Sequence, residues 1–246
     1  MTNATTPYCG PVPLPEKLLG SWNLDPALLA LLAVMTLAGA VGLRRARAGR
    51  LREGAFSVAA LGAVIAFVAP LCALTVALFA ARSLHHLLLL GLIAPALAVA
   101  LPWRGAPGAG AFVALSAALW AWHVPAVYAA AWDSVAVYWG MQAALLLPAW
   151  AFWSAVLSRR TEAMATLGAA MMIAGLAGQM GLIGAILTFA PRPLYAEHLV
   201  GAEAFGMSLL ADQQLAGLVM WVPGMAPLAL LGALLLRRVW RQGLAA

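Results

Sequence analysis

Apolar residues gather along this chain in seven long blocks, at roughly Pro26–Leu43, Ala55–Val68, Leu84–Leu101, Ala111–Val127, Val135–Leu157, Ala163–Ala190 and Leu209–Leu236. A helix needs about 20 mostly apolar residues to cross the roughly 30 Å hydrocarbon core of a bilayer. Inside that core each backbone donor and acceptor must be satisfied within its own segment, so the blocks are read as helices. The pattern predicts an all-α, polytopic transmembrane bundle of about seven spans. One integral-membrane domain, 1–246, accounts for the chain: a tail 1–25, a bundle 26–236 and a short tail 237–246. The second block is the least sharply bounded. Pro70 interrupts a run that stays apolar through Leu78 and extends toward Ala80.

Polar punctuation separates the blocks: an arginine-rich turn at Arg44–Arg52, the stretch Pro102 to Gly110, Arg159-Arg160, and Pro191-Arg192-Pro193. Its charge alternates from one connection to the next. One set holds eleven arginines (Arg44, Arg45, Arg47, Arg50, Arg52, Arg104, Arg159, Arg160, Arg237, Arg238 and Arg241) and two acids, Glu53 and Glu162. The other holds only Lys17, Arg82 and Arg192 against six acids. The positive-inside rule therefore predicts an outer N-terminus and a cytoplasmic C-terminus.

Composition agrees with the blocks. Apolar residues make up 65% of the chain, charged residues 9%, and the mean hydropathy is +0.94. A soluble domain carries about 25% charge. The net charge of +6 does not point to nucleic acid, because the bases sit in short connections and form no continuous face. Met1 to Trp22 shows no basic-then-apolar leader pattern. No phosphate-binding glycine loop, serine nucleophile arrangement or zinc-protease spacing is present, so the expectation is a protein that is not an enzyme.

The candidate chemistry lies at the predicted outer side. His85 and His86 open the third span, His123 closes the fourth, His198 precedes the seventh, and Asp212 opens it. Imidazole suits copper or zinc, and thioether sulfur suits Cu(I). Consecutive helical residues point about 100° apart, so one histidine, His86, is expected to face inward while the other packs or meets headgroups. His123, among Trp120, Trp122 and Pro125, reads equally as a ligand or as an interfacial helix end. His198, beside Glu197, is expected in solvent. Cys9 and Cys72 could pair, bind a metal or do neither. The methionines, Met220 among them, are mostly packing residues.

The seventh span carries the sharpest signal. Asp212, Gln213 and Gln214 stand at its threshold, where such groups cost free energy unless satisfied. Gln213, Gly217, Met220 and Gly224 share one helix face, suited to close approach and a hydrogen bond across it. Pro223 should bend the helix. The sixth span has a small face of its own, Gly175, Gly178, Gly181 and Gly184, expected to pack against the seventh.

The segment Leu210-Ala211-Asp212-Gln213-Gln214-Leu215-Ala216-Gly217-Leu218-Val219-Met220-Trp221-Val222-Pro223-Gly224 resembles the most distinctive stretch of the CtaG family, membrane proteins associated with assembly of caa-type cytochrome c oxidases. Leu187-Thr188-Phe189, Pro193-Leu194-Tyr195, His86 with Ala94-Pro95, Trp122-His123-Val124-Pro125 with Tyr128, and Phe152-Trp153 extend the likeness over nearly the whole chain. So do Tyr8-Cys9-Gly10 and Trp22-Asn23-Leu24-Asp25-Pro26. The resemblance implies an inner-membrane assembly factor of bacteria. Its partners would be oxidase subunits, copper chaperones and the bilayer, with no nucleic acid. It also implies copper as a transient ion, with His86, His123, Asp212 and Met220 as candidate ligands. Gln213, Gln214, Gly217, Trp221, Pro223 and Gly224 are then structural or partner-facing. Two features depart from the family pattern. Arg82 stands where relatives carry a histidine four residues before His86, and Tyr138 and Gln142 stand where they carry a helical histidine pair. A metal-free scaffold is the first alternative. A copper or small-solute transporter is a second, and a b-type haem protein using His86 and His123 a third.

Overall fold

In the computed structural model, which describes residues 7–158 and 162–244, the chain is a sequence of helices with no strand among the described residues. The predicted turn at Arg159-Arg160 lies outside the described residues. Helix α1 (Pro26–Arg45) starts where Asp25 accepts the Ala27 amide at 2.9 Å and Pro26 supplies a preset φ. It ends in the arginine turn, where Arg47 takes a positive φ of 48°. Helix α2 (Arg50–Phe67) returns across the bundle.

Pro70 breaks the second block as the sequence suggests. The short α3 (Leu71–Ala77) follows α2 at an angle of 43°. One extended residue, Leu78, separates it from α4 (Phe79–Leu88). A wider turn at Leu89–Ile93 then links α4 to α5 (Ala94–Ala100). Pro95 has no N–H to donate, and loosening the preceding turn accommodates that loss without ending the span.

The fourth block folds differently from its simple reading. Helix α6 (Gly108–Trp122) stops at His123, and α7 (Pro125–Asp133) leaves at 81°. The apolar pattern runs through this corner because both arms are buried on one side. Pro125 favours an extended residue before it and starts the new helix. Helices α8 (Val135–Val156) and α9 (Ala163–Phe189) follow, then α10 (Leu199–Ala204) and α11 (Leu209–Leu244). Five helical stretches are long and apolar enough to cross a membrane, and up to seven if each bent pair is one span.

The most extensive pairing is α9 with α11, as their small faces predict. At the crossing, a Cβ on Gly184 would lie 2.8 Å from the Gly217 carbonyl oxygen, and one on Gly217 would strike Thr188 and the Gly184 backbone. Only glycine lets two backbones approach this closely. Helix α1 is peripheral: it packs on α2 and turns Leu31, Val34, Met35 and Leu37 outward. The bundle has two ends, one lined by the start of α4 and α11, the other by the arginine turns. They are called below the histidine end and the arginine end.

Candidate functional site

Asp212 explains itself once α4 is in place. The amide N–H groups at a helix start lack partners within the helix, and Leu78, at the cap position of α4, has no acceptor side chain. The Asp212 carboxylate supplies both acceptors from another helix: Oδ2 takes the Phe79 N–H at 2.6 Å and Oδ1 takes the Ala80 N–H at 3.0 Å. The residue is fully buried. An anion at a helix N-terminus also gains from the helix dipole. Packing left Asp212 poorly explained in the sequence; a cap delivered across 133 residues explains it well.

Its neighbours act similarly. Gln213 accepts the Leu194 N–H at 2.6 Å and donates to the Leu187 carbonyl at 3.3 Å, fastening the connection after α9. Gln214 is half-exposed and holds no such bond among the described residues. His123 Nδ1 sits 2.6 Å from the Leu119 carbonyl, which can only accept, so Nδ1 carries the proton. The Tyr195 hydroxyl donates to the His123 carbonyl at 2.8 Å, and its ring stacks on Phe79 with centroids 4.0 Å apart.

His198 corrects the sequence reading. It is fully buried and not solvated: Nε2 meets the Tyr128 hydroxyl at 2.8 Å, and Phe79 and Trp132 flank the ring. Burial, helped by the charge of Arg82, pushes its pKa down to about 3, so the ring is neutral at neutral pH. The adjacent Glu197 gave a polar sequence pattern that disguised the turn of the backbone.

The N-terminal tail closes over this layer. Cys9 and Cys72 form a disulfide with Cα atoms 5.4 Å apart. The Cys9 sulfur lies 3.5 Å from the Tyr138 hydroxyl. Tyr8 stacks on Tyr138 at 4.9 Å and donates to Asp25 at 2.7 Å. Burial, together with that bond to a carboxylate, pushes the Tyr8 hydroxyl pKa up to about 12.

Beneath the tail lies the polar layer of α4. Arg82, counted by the sequence among outer connections, is a core residue at 4% exposure. Its guanidinium sits 5.6 Å above the Tyr138 ring centre and beside the Tyr128 and Tyr138 hydroxyls. His85 and His86 are both buried, so of the two alternatives for the second histidine it is packing, not the headgroups, that His85 takes. His85 turns edge-on to Phe67, with ring centroids 5.2 Å apart. The two point apart as the 100° rule requires, yet α4 is wrapped on both sides. Both ring nitrogens of His85, Nε2 of His86, two nitrogens of Arg82 and the amide of Gln142 have no hydrogen-bond partner.

The other predicted residues are placed as follows. Met220 is buried, and Gly224 lets the tip of Met180 and Leu87 approach α11. Trp221 is partly exposed and meets Phe189 edge-on at 6.0 Å. Pro223 lies inside α11, on an exposed side. Among the described residues no three of His, Cys, Asp and Glu are grouped as a metal site. Asp212 spends both oxygens on backbone amides, the cysteines are paired, and a fixed cation stands one turn from His86. This donor set does not fit a resident metal ion.

A family model described as Cytochrome c oxidase caa3 assembly factor (Caa3_CtaG) matches residues 34–242, most of the chain. No curated protein and no solved structure matches it.

Proposed function

The chain belongs to the family of cytochrome c oxidase caa3 assembly factors, and from that premise we propose that it serves as a rigid membrane scaffold for oxidase subunits, with no metal of its own. One observation carries this reading. The groups that could hold an ion at the histidine end are already committed to structure: Asp212 caps α4, Gln213 fastens the α9 connection, His123 bonds its own helix and Cys9 is tied to Cys72. Such an end is suited to presenting a fixed surface to a partner rather than to exchanging ligands. Arg82 adds an electrostatic reason. A buried guanidinium one turn from His86 opposes any second cation there.

In this reading the histidine end faces the periplasm of a bacterial inner membrane. Two features support that orientation: eleven arginines in one set of connections against Lys17 and Arg192 in the other, and a disulfide of the kind that persists in an oxidising compartment. A reporter fused after Ala246 should be active only if it functions in the cytoplasm. Activity of a periplasmic reporter there reverses the assignment.

A second reading has copper as cargo, passed transiently to the oxidase, and the unpartnered Nε2 of His86 favours it. His86 would be the first ligand, with His123 and Met220 as further candidates. Two measurements separate the readings. Purified protein should carry no stoichiometric copper, and His86→Ala should leave that unchanged. In a strain lacking the protein, added copper should fail to restore the oxidase. Copper at one ion per chain, lost in His86→Ala, overturns the scaffold reading in favour of the cargo reading.

A further inference from the structure

We propose that the arginine end holds a binding site for the headgroup of an anionic phospholipid, in the cleft between the α5–α6 connection and the ends of α2 and α8. The cleft has a volume of about 810 Å³ and is lined by Arg52, Trp103, Arg104 and Ser154, with Ala155 and Met172 behind them. An adjoining groove reuses Arg52, Trp103 and Arg104 and adds Trp150. Among the described residues no Asp or Glu lines either one. Two guanidiniums without a carboxylate make a cleft of one sign.

The cleft is built rather than accidental. Three side-chain bonds fix the connection that forms its wall. Arg52 Nε donates to the Ala100 carbonyl at 2.9 Å, Trp150 Nε1 donates to the Leu101 carbonyl at 3.0 Å, and the Trp103 N–H donates to Ser154 Oγ at 3.1 Å. Gly105 then turns the chain at a φ of +73°, where a side chain would be strained. Arg52 is thus anchored through Nε and keeps its two terminal amino groups for another acceptor. A planar guanidinium matches two oxygens of a phosphodiester.

Position selects a lipid as the source of that phosphodiester. The cleft opens where the apolar helices α2, α5 and α8 reach their ends, and Trp103 is 48% exposed beside Trp150, with ring centroids 5.4 Å apart. Indoles gather at that level because one edge is polar and the body apolar. Apolar Ala98 and Val99 line the same cleft, which suits a glycerol backbone and acyl chain better than a free ion. Basic pockets between spans recognise anionic headgroups by this combination.

The test titrates the purified full chain with phosphatidylglycerol and with phosphatidylcholine, reading lipid-bound species by native mass spectrometry. Each arginine near the headgroup is expected to contribute about fivefold to the anionic preference. The wild type should therefore favour phosphatidylglycerol strongly. Arg104→Gln should lose about fivefold, and the Arg52→Gln/Arg104→Gln pair nearly all of the preference. Arg45→Gln, exposed at the same end but outside the cleft, should change nothing. Arg104 is exposed, so the single variant keeps the test alive if the pair fails to fold. An unchanged preference in Arg104→Gln, or equal loss in Arg45→Gln, overturns the site. Inorganic phosphate that competes as well as the lipid at equal concentration overturns the lipid as its ligand.

Discussion

The two ends of the bundle are held together by different means. At the histidine end, side chains reach across long stretches of sequence to satisfy backbone groups: Asp212 onto α4, Gln213 onto the α9 connection, Tyr195 onto the end of α6. A disulfide joins residues 63 positions apart. At the arginine end three long-range side-chain bonds among the described residues hold the α5–α6 connection, and exposed guanidinium and apolar side chains surround it. The contrast teaches that burial forces bonding. Where helix ends are covered by protein, every amide needs a partner; where they meet headgroups and water, the solvent supplies one.

If that contrast is right, damage at the histidine end should be costly and damage at the arginine end mild. Breaking the disulfide with Cys9→Ser should have the largest effect, about 2–4 kcal/mol, because it frees a long loop in the unfolded chain. Thermal unfolding in detergent, with and without reductant, reads it; a wild type insensitive to reductant contradicts the expectation. Gly217→Leu should follow at about 3 kcal/mol, since the added side chain meets the backbone of Gly184 and Thr188 as well as the Thr188 hydroxyl at the α9–α11 crossing. Loss of the monodisperse peak in size-exclusion chromatography is the readout.

Asp212→Ala leaves two buried amides of α4 unsatisfied and should cost about 2–3 kcal/mol. Asp212→Asn keeps one acceptor and should cost less; equal losses would count against the cap. Its counterpart at the other end, Ser154→Ala, removes the acceptor of the Trp103 N–H and should cost about 1 kcal/mol or less.

A pH titration sharpens the comparison further. His198 is neutral in the folded chain down to about pH 3, whereas an exposed histidine takes a proton near 6.5. Between those values the unfolded chain binds more protons, so stability rises with pH. Its contribution is complete above about pH 6.5 and is lost on acidification toward 3, at up to about 1.4 kcal/mol per unit. His198→Gln should flatten this slope, and an unaltered slope assigns the acid sensitivity elsewhere. The smallest effect belongs to Gln214→Ala, within about 0.5 kcal/mol, against about 1–2 kcal/mol for the adjacent Gln213→Ala.

Much of this was legible in the chain itself. The seven blocks, the break at Pro70 and the pairing of the sixth and seventh spans through glycine all follow from local apolar pattern and residue size. The cost of Asp212 at a membrane threshold announced that something must satisfy it. What satisfies it was not legible. A carboxylate looks the same in sequence whether it waits for a metal or caps a helix, and the partner amides lie 133 residues upstream. Arg82 and His198 misled for a related reason. Polarity suggested exposure, whereas Arg82 lies over the Tyr138 ring of α8 and His198 is wrapped by Tyr128 and Trp132 of α7 and Phe79 of α4.

Sequence alone thus determined which stretches are long and apolar enough to cross a membrane, because hydropathy is a sum over neighbouring residues. Only the tertiary structure decided which polar groups are spent on holding helices together and which stay unpartnered. That outcome depends on atoms brought within 3 Å by packing, a relation that no local pattern encodes.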